Sequence, residues 1–225
     1  MIDPLEPIDR QPLRFEDKDL IVLCEGNDEA AVVRALLPSA ANLKCGKKER
    51  GQSEFDEMAA IPGQAQARGE SYVLCLMFDA EDSRSKRNEQ IKTWLDEAGL
   101  NLPGSEGCFK ETVNNLDAPG RGRLWVGYLI NPPGRDRGKL EDLFLPQIEA
   151  HEFGECAAAF VKCAQGKNSD ESREKLLLRS YIACFNAVNT IIQSGIQKQA
   201  FDLQATEFAA LREFLDEAVR IRLAL

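Results

Sequence analysis

Runs of consecutive apolar residues mark the strands that this sequence predicts. Residues 20–24, 72–78 and 124–130 are typical of strands buried on both faces of a sheet, and residues 42–45 predict a shorter strand. Amphipathic helical spacing separates them, at residues 29–37, 53–67 and 85–98, and a further helical stretch opens at residues 140–144. This alternation predicts an α/β fold with a mainly parallel, Rossmann-like sheet flanked by helices.

Beyond about residue 150 the pattern changes to helices alone, most clearly at residues 175–192 and 206–223. Residues 100–121 are rich in Gly, Pro and Asn, which predicts a loop that holds a short strand. We therefore predict an N-terminal leader at 1–18, an α/β domain at 19–150 and a helical extension at 151–225. The extension should pack on the same domain, because no flexible linker precedes it.

Composition and charge argue against several classes of function and several kinds of site. The net charge of −9 disfavours a protein that coats nucleic acid, but an enzyme that meets phosphate through metal ions remains compatible with it. Without a bilayer-length apolar run or a signal-peptide pattern, we expect a cytoplasmic protein that does not bind membranes. The seven cysteines are odd in number and never two to four residues apart, which argues against disulfides and zinc.

Acidic residues follow two of the predicted strands. Glu25 and Asp28 follow the first, and Asp79, Glu81 and Asp82 follow the strand at 72–78. The carboxyl ends of parallel strands share one rim, so these acids should converge there. Clustered carboxylates repel one another, and oxygen ligands favour Mg²⁺ or Mn²⁺. The pattern predicts a metal site, although helix caps and solvated loops carry such acids equally well.

Four further residues have roles that their positions in the sequence predict. Gly26 would let the backbone turn sharply and a ligand approach closely. Glu141 is either an additional carboxylate near the metals or a first-turn charge of a helix, and for Asp142 we favour the helix role. The lone histidine, His151, is expected in mid-helix with a structural role.

Basic residues cluster after the predicted strands at 42–45, 72–78 and 124–130. We predict that Lys47, Lys48, Arg84, Arg135 and Arg137 line the rim and bind the phosphate of a substrate. The alternative is that these residues are ordinary solvated loop charges.

The acidic motifs resemble those of the Toprim domain, which occurs in topoisomerases, primases, RNA-processing nucleases and overcoming-lysogenization-defect nucleases. Toprim motifs consist of an apolar strand that ends in Glu-Gly and a later strand that ends in Asp-x-Asp. Here LIVLCEGNDE and YVLCLMFDAED are similar, with Glu25 at the first glutamate and Asp79 at the first aspartate. Glu81 stands where the second aspartate is expected, and Asp82 could take its place as a metal ligand.

A more extended resemblance, over about residues 19–217, is to prokaryotic Toprim-like proteins of unknown function. Their pattern is a strand with Val-Gly, a proline loop, Gly-x-Leu-Glu-Asp and a late Phe-Asp in a helical tail. The matching segments here are Val126-Gly127, Pro132-Pro133, GKLED at 138–142 and Phe201-Asp202.

The resemblance implies a metal-dependent phosphoryl-transfer enzyme. Within this class, the interpretation that we favour is a nuclease that acts on DNA or RNA. Glu25, Asp79 and Glu81 would be catalytic and hold Mg²⁺ or Mn²⁺, and Asp28 would complete a second metal site. The alternative is a non-catalytic module that binds a nucleotide or a nucleic-acid end and acts with a partner protein. Either form could work as a homo-oligomer.

Overall fold

The computed structural model describes residues 19–37, 71–112, 122–164, 172–185, 189 and 191–225. The strands within these ranges are β1 (Asp19–Cys24), β2 (Tyr72–Asp79), β3 (Phe109–Thr112) and β4 (Leu124–Asn131). The α-helices are α1 (Asn27–Leu36), α2 (Arg84–Glu97), α3 (Leu145–Ala150), α4 (Gly154–Ala164), α5 (Arg173–Ala183), α6 (Ile192–Gln197) and α7 (Ala209–Ala224). Short 3₁₀ helices cover Leu140–Leu143 and Thr206–Phe208.

The strands form one sheet in the order β1-β2-β4-β3. β1, β2 and β4 run parallel, and β3 pairs with β4 in the antiparallel direction at the edge. The predicted α/β class and mainly parallel sheet are therefore confirmed, as is the short strand within residues 100–121. Every residue of β2 is buried, as expected for a central strand that helices cover on both faces.

Helices pack against both faces of the sheet. The face that carries Val73 and Cys75 belongs to a core shared with α1, α5 and α7. The opposite face, with Leu74 and Leu76, packs against Ile91 of α2. Since successive side chains of a strand point to opposite faces, each residue at the end of a strand is directed into one of these two layers.

The helix α2 begins and ends where the sequence signals place it. The Ser83 hydroxyl caps its first turn by accepting a hydrogen bond from the Lys86 N–H at 3.3 Å. Gly99, with φ +68, follows its C-terminus. This helix positions Arg84 and Arg87 beside the carboxyl ends of the strands.

Two helical predictions were wrong in detail. The single helix predicted over residues 175–192 is interrupted, because α5 ends at Ala183 and α6 begins at Ile192. Phe185 lies in a turn, and its ring packs against Tyr181 and His151 at 5.1 and 5.4 Å between centroids. His151 itself lies between α3 and α4, not within a helix, and its ring belongs to this aromatic group.

Some predictions fall on other parts of the chain. The leader at 1–18, the strand at 42–45 and the helix at 53–67 lie outside the described residues. Within the described ranges, none of the helices combines the length and the apolar character that crossing a membrane requires.

Candidate metal centre

Three acidic side chains meet at the carboxyl-terminal rim of the sheet. Glu25 directly follows β1, Asp79 is the last residue of β2, and Glu81 lies two residues beyond it. One carboxylate oxygen from each lies within 4.8 Å of the other two. These are the residues that the sequence predicted as catalytic. Asp28, which is half-buried, and Asp82, which is exposed, do not belong to this closest group.

Glu25 is held from two sides. Its Oε2 accepts a hydrogen bond from the Asp79 backbone N–H at 2.8 Å, which ties β1 to the end of β2. Its Oε1 forms an ion pair with Arg87 at 2.8 Å. Arg87 also donates from Nε to the Asp79 carbonyl at 2.9 Å, and its guanidinium lies 5.7 Å from the centre of the Phe78 ring. A largely buried cation therefore compensates the charge of Glu25.

Asp79 is the most deeply placed carboxyl group of the triad, with 6% of its surface exposed. Its Oδ1 accepts a hydrogen bond from the Leu140 N–H at 2.9 Å. Burial, followed by the negative charges of Glu29, Glu25 and Glu141, raises its pKa to about 9. Without a bound metal ion, the Asp79 carboxyl group therefore keeps its proton at neutral pH.

Glu29 is a further acid at this site that was not among the predicted metal ligands. It lies in the first turn of α1 but is 6% exposed, on the buried side of the helix with Val32 and Val33. Burial is the main cause that raises its pKa to about 7, and Glu141, Asp28 and Glu25 add to the shift. Its spacing of four residues from Glu25 and its place among buried valines are the signals that could have identified it.

Gly26 provides space for Glu29. A Cβ at this position would lie 2.8 Å from the Glu29 Oε2. The φ and ψ of Gly26, −148° and 179°, are those of extended backbone that any residue adopts. The chain does bend at Glu25 and Gly26, but the bend does not depend on the conformational freedom of glycine. The missing side chain instead leaves room for the Glu29 carboxylate.

Glu141 lies at the same group of acids. It is half-buried in the 3₁₀ helix Leu140–Leu143, and its pKa is raised chiefly by burial. Its negative charge also acts on the carboxyl groups of Asp79 and Glu29. Asp142 instead has the predicted helix role, because its Oδ2 accepts the Lys139 N–H at 3.1 Å.

Glu81 lies at the exposed edge of the group. Its φ of +51 is unusual for a residue with a side chain, and such backbone strain is typical of functional sites. Two backbone hydrogen bonds of 2.9 Å with Gly138 hold it in this conformation. The Glu81 carboxylate pairs with Lys139 Nζ at 3.0 Å, and this contact is the main cause that raises the pKa of Lys139.

The predicted basic residues have different positions. The Arg84 guanidinium donates to the carbonyls of Ile130, Pro132 and Arg135 and pairs with Glu106, so it holds the loop after β4 in place. Arg135 and Arg137 are exposed on that loop. Among the described residues, neither of their side chains makes a hydrogen bond or an ion pair. Lys47 and Lys48 lie outside the described residues.

Asn131 is a second residue that the sequence did not single out. It ends β4, is fully buried, and pairs in register with Asp79. Residues paired across neighbouring strands project to the same face, so the Asn131 amide and the Asp79 carboxyl group share one layer. Neither Oδ1 nor Nδ2 of Asn131 has a hydrogen-bond partner in the part of the chain that the structure describes. A buried amide needs a partner, and a water or a hydrated ion in this layer would supply one.

Neither the curated proteins nor the solved structures contain a significant match to this chain. A family model described as a protein of unknown function (DUF3226) matches residues 19–220, which include the whole candidate site. The chain therefore belongs to this family of unknown function.

Proposed function

We propose that this protein is a divalent-metal-dependent phosphoryl-transfer enzyme with a Toprim-like fold, and that it acts as a nuclease on DNA or RNA in the cytoplasm. The observation that carries the proposal is the close approach of Glu25, Asp79 and Glu81 at the carboxyl-terminal rim of three parallel strands. Ligands of open α/β sheets bind at this rim. The order of the acids along the chain also agrees with the Toprim motifs that the sequence resembles.

The donor set suits Mg²⁺ or Mn²⁺, because it consists of carboxylate oxygens. Glu25, Asp79 and Glu81 would hold the ion, and Glu29 would add a further oxygen from the buried side. Asp28 would complete a second ion site. When bound, such ions activate water and stabilise the charge on the leaving oxygen of a phosphodiester.

The protein's own residues have separate tasks in this proposal. Asp79, with its raised pKa, gives up its proton when a cation enters the layer. Arg87 fixes Glu25 in one orientation through its ion pair at 2.8 Å. Arg135 and Arg137, exposed on the loop after β4, are available to contact the phosphates of a nucleic acid.

A non-catalytic binding module is the second candidate, and one observation favours it. Two carboxylates of the triad already have cationic partners within the chain, because Arg87 pairs with Glu25 and Lys139 pairs with Glu81. A site neutralised in this way could bind a nucleotide or a nucleic-acid end with one metal ion and act through a partner protein.

A cleavage screen tests the enzyme proposal. Single-stranded, duplex and branched DNA and RNA are incubated with the protein and Mn²⁺, and the products are resolved on denaturing gels. We expect cleavage by the wild type, none by Glu25→Ala or Asp79→Asn, and wild-type activity from Asp82→Asn, the matched change of an exposed acid. Activity that persists in Glu25→Ala would show that it does not come from this site.

Counting bound ions separates the two candidates. Two Mn²⁺ per chain, detected by calorimetry and by spin coupling in electron paramagnetic resonance, would support catalysis by paired ions. One uncoupled ion together with tight nucleotide binding and no cleavage would favour the binding module. No Mn²⁺ binding at millimolar concentration would eliminate both.

A further inference from the structure

The outward side of α4 is apolar, which is unusual for the exposed side of a surface helix. Cys156, Ala159, Phe160 and Cys163 are all exposed, and Phe160 is 61% accessible. At 100° per residue these four positions form one arc about 100° wide on the helix. We call this arc the α4 apolar face. The opposite side of α4 carries its buried residues Gly154, Ala157 and Val161.

The buried side of α4 explains why its outward side is not part of the core. Ala157 and Val161 belong to the main hydrophobic core, and Val161 lines a groove with Leu177 of α5. The helix is therefore anchored by one side while the α4 apolar face remains in solvent. An apolar strip in this position is typical of a protein interface.

Charges on one flank of the α4 apolar face indicate what covers it. Glu155 and Lys162 are exposed and seven residues apart, so they lie on the same flank near opposite ends of α4. Lys162 also lines a groove of about 320 Å³ together with Arg173 of α5, which makes that end of the flank more basic. The flank is acidic at one end and basic at the other.

Such a flank complements itself in an antiparallel helix pair. In that arrangement each flank meets the same flank of the partner helix in the reverse direction, so Glu155 of one copy faces Lys162 of the other. In a parallel pair each flank would instead meet the opposite flank of the partner helix, so Glu155 and Lys162 would not pair. The apolar residues have the same symmetry, because Cys156 and Cys163 are equally distant from a centre between Ala159 and Phe160.

We propose that the α4 apolar face binds α4 of a second copy of this chain, antiparallel, about a two-fold axis near Ala159 and Phe160. Both copies contribute the same surface, as closed two-fold dimers do. The Phe160 ring of each copy packs over the partner's small residues, and the flanking Glu155–Lys162 pairs set the direction. This dimer is independent of the metal site.

Cysteine cross-linking tests the direction of the pairing. Cys45, Cys108 and Cys184 are first replaced by Ser, and two proteins are made from this background, one with Cys163→Ser and one with Cys156→Ser. Treatment with a short bis-maleimide should cross-link a mixture of the two, because Cys156 of one meets Cys163 of the other. Each protein alone should give several-fold less dimer.

Other cross-linking results would overturn the proposal. If each protein alone cross-linked as well as the mixture, the result would indicate a parallel pair or random collision. No cross-link in any sample would exclude the contact. A variant that retains Cys108 in place of Cys156 and Cys163 is the control for collision between exposed thiols.

Sedimentation equilibrium of the full chain tests the charges and the apolar contact separately. Phe160→Glu and Glu155→Lys should each weaken the dimer at least tenfold, and Glu155→Lys combined with Lys162→Glu should restore it. Exposed substitutions of this kind leave the core unchanged, and circular dichroism verifies the fold. The proposal would be overturned if the wild type were monomeric across the micromolar range. It would also be overturned if the double variant dimerised no more tightly than Glu155→Lys alone.

Discussion

Replacement of Asp79 by Asn is the most informative change at the candidate metal centre. Asn has nearly the same shape and keeps an oxygen that can accept the Leu140 N–H, but it carries no titratable proton. The wild-type carboxyl group has a pKa of about 9 in the folded protein, against an ordinary value of 3.8. In the wild type this carboxyl group takes up a proton when the chain folds. The variant has no such proton uptake, and because Asn fills the same space it leaves no cavity.

The size of the effect follows from this difference in pKa. Between pH 3.8 and about 9 the folded state binds one proton more than the unfolded state at this position. The free energy of unfolding then falls by about 1.4 kcal/mol for each pH unit as the pH rises through this window. Since pH 7 is 3.2 units above 3.8, the cost to the wild type at pH 7 is at most about 4 kcal/mol.

Urea unfolding from pH 5 to pH 8 in the presence of a chelator measures this effect. The wild type should lose stability with rising pH, and Asp79→Asn should have a slope lower by about 1.4 kcal/mol per unit and higher stability at pH 8. Mn²⁺ at a hundredfold excess over its Kd should restore about 2.7 kcal/mol to the wild type and nothing to the variant. Asp82→Asn, which changes an exposed acid, should follow the wild type. Parallel curves for wild type and Asp79→Asn would refute the reasoning.

Three further changes test the surroundings of Asp79 in the same unfolding assay. Glu29→Gln should flatten the pH dependence between pH 4.5 and about 7 and leave it unchanged above, and a uniform shift would contradict this. Arg87→Met removes the buried ion pair of Glu25 and should lower the free energy of unfolding by about 3 kcal/mol. An unchanged free energy of unfolding would show that this ion pair does not stabilise the fold. Gly138→Ala places a side chain on a residue with a φ of +124 and against the Asp142 carboxylate. It should therefore lower the free energy of unfolding by about 1–3 kcal/mol, and a variant as stable as the wild type would contradict this strain.

The central strands could be predicted because a strand buried on both faces appears as a continuous apolar run. β2 and β4 are of this kind, and the sequence located both within one residue. The edge strand β3, FKET, has four residues, of which only Thr112 is buried, so it has no continuous apolar run and only the Gly- and Pro-rich segment around it suggested a short strand. The break after α5 could not be predicted, since Ile182 and Phe185 continue the helical spacing while tertiary packing places Phe185 in an aromatic group with His151.

The triad of acids was accessible from sequence because parallel strands bring their carboxyl ends to one rim. Glu29 was missed because a buried carboxyl group in a first helical turn has the same sequence pattern as a helix-stabilising charge. The role of Arg84 was equally hidden. Its hydrogen bonds reach carbonyls 46 to 51 residues away, and only the folded loop brings these to the start of α2.

The charges around the triad explain why a divalent cation is the expected occupant. In the folded chain Glu25 and Glu81 are balanced by Arg87 and Lys139, whereas Asp79 and, in part, Glu29 remain protonated because they are buried. Release of these two protons would leave two negative charges without partners in a layer of low polarity. A divalent cation supplies two positive charges, so below about pH 7, where both groups are protonated, its entry would exchange two protons for one ion with no net change of charge. This balance is why the proposed metal affinity should rise with pH and depend on Asp79 more than on any exposed acid.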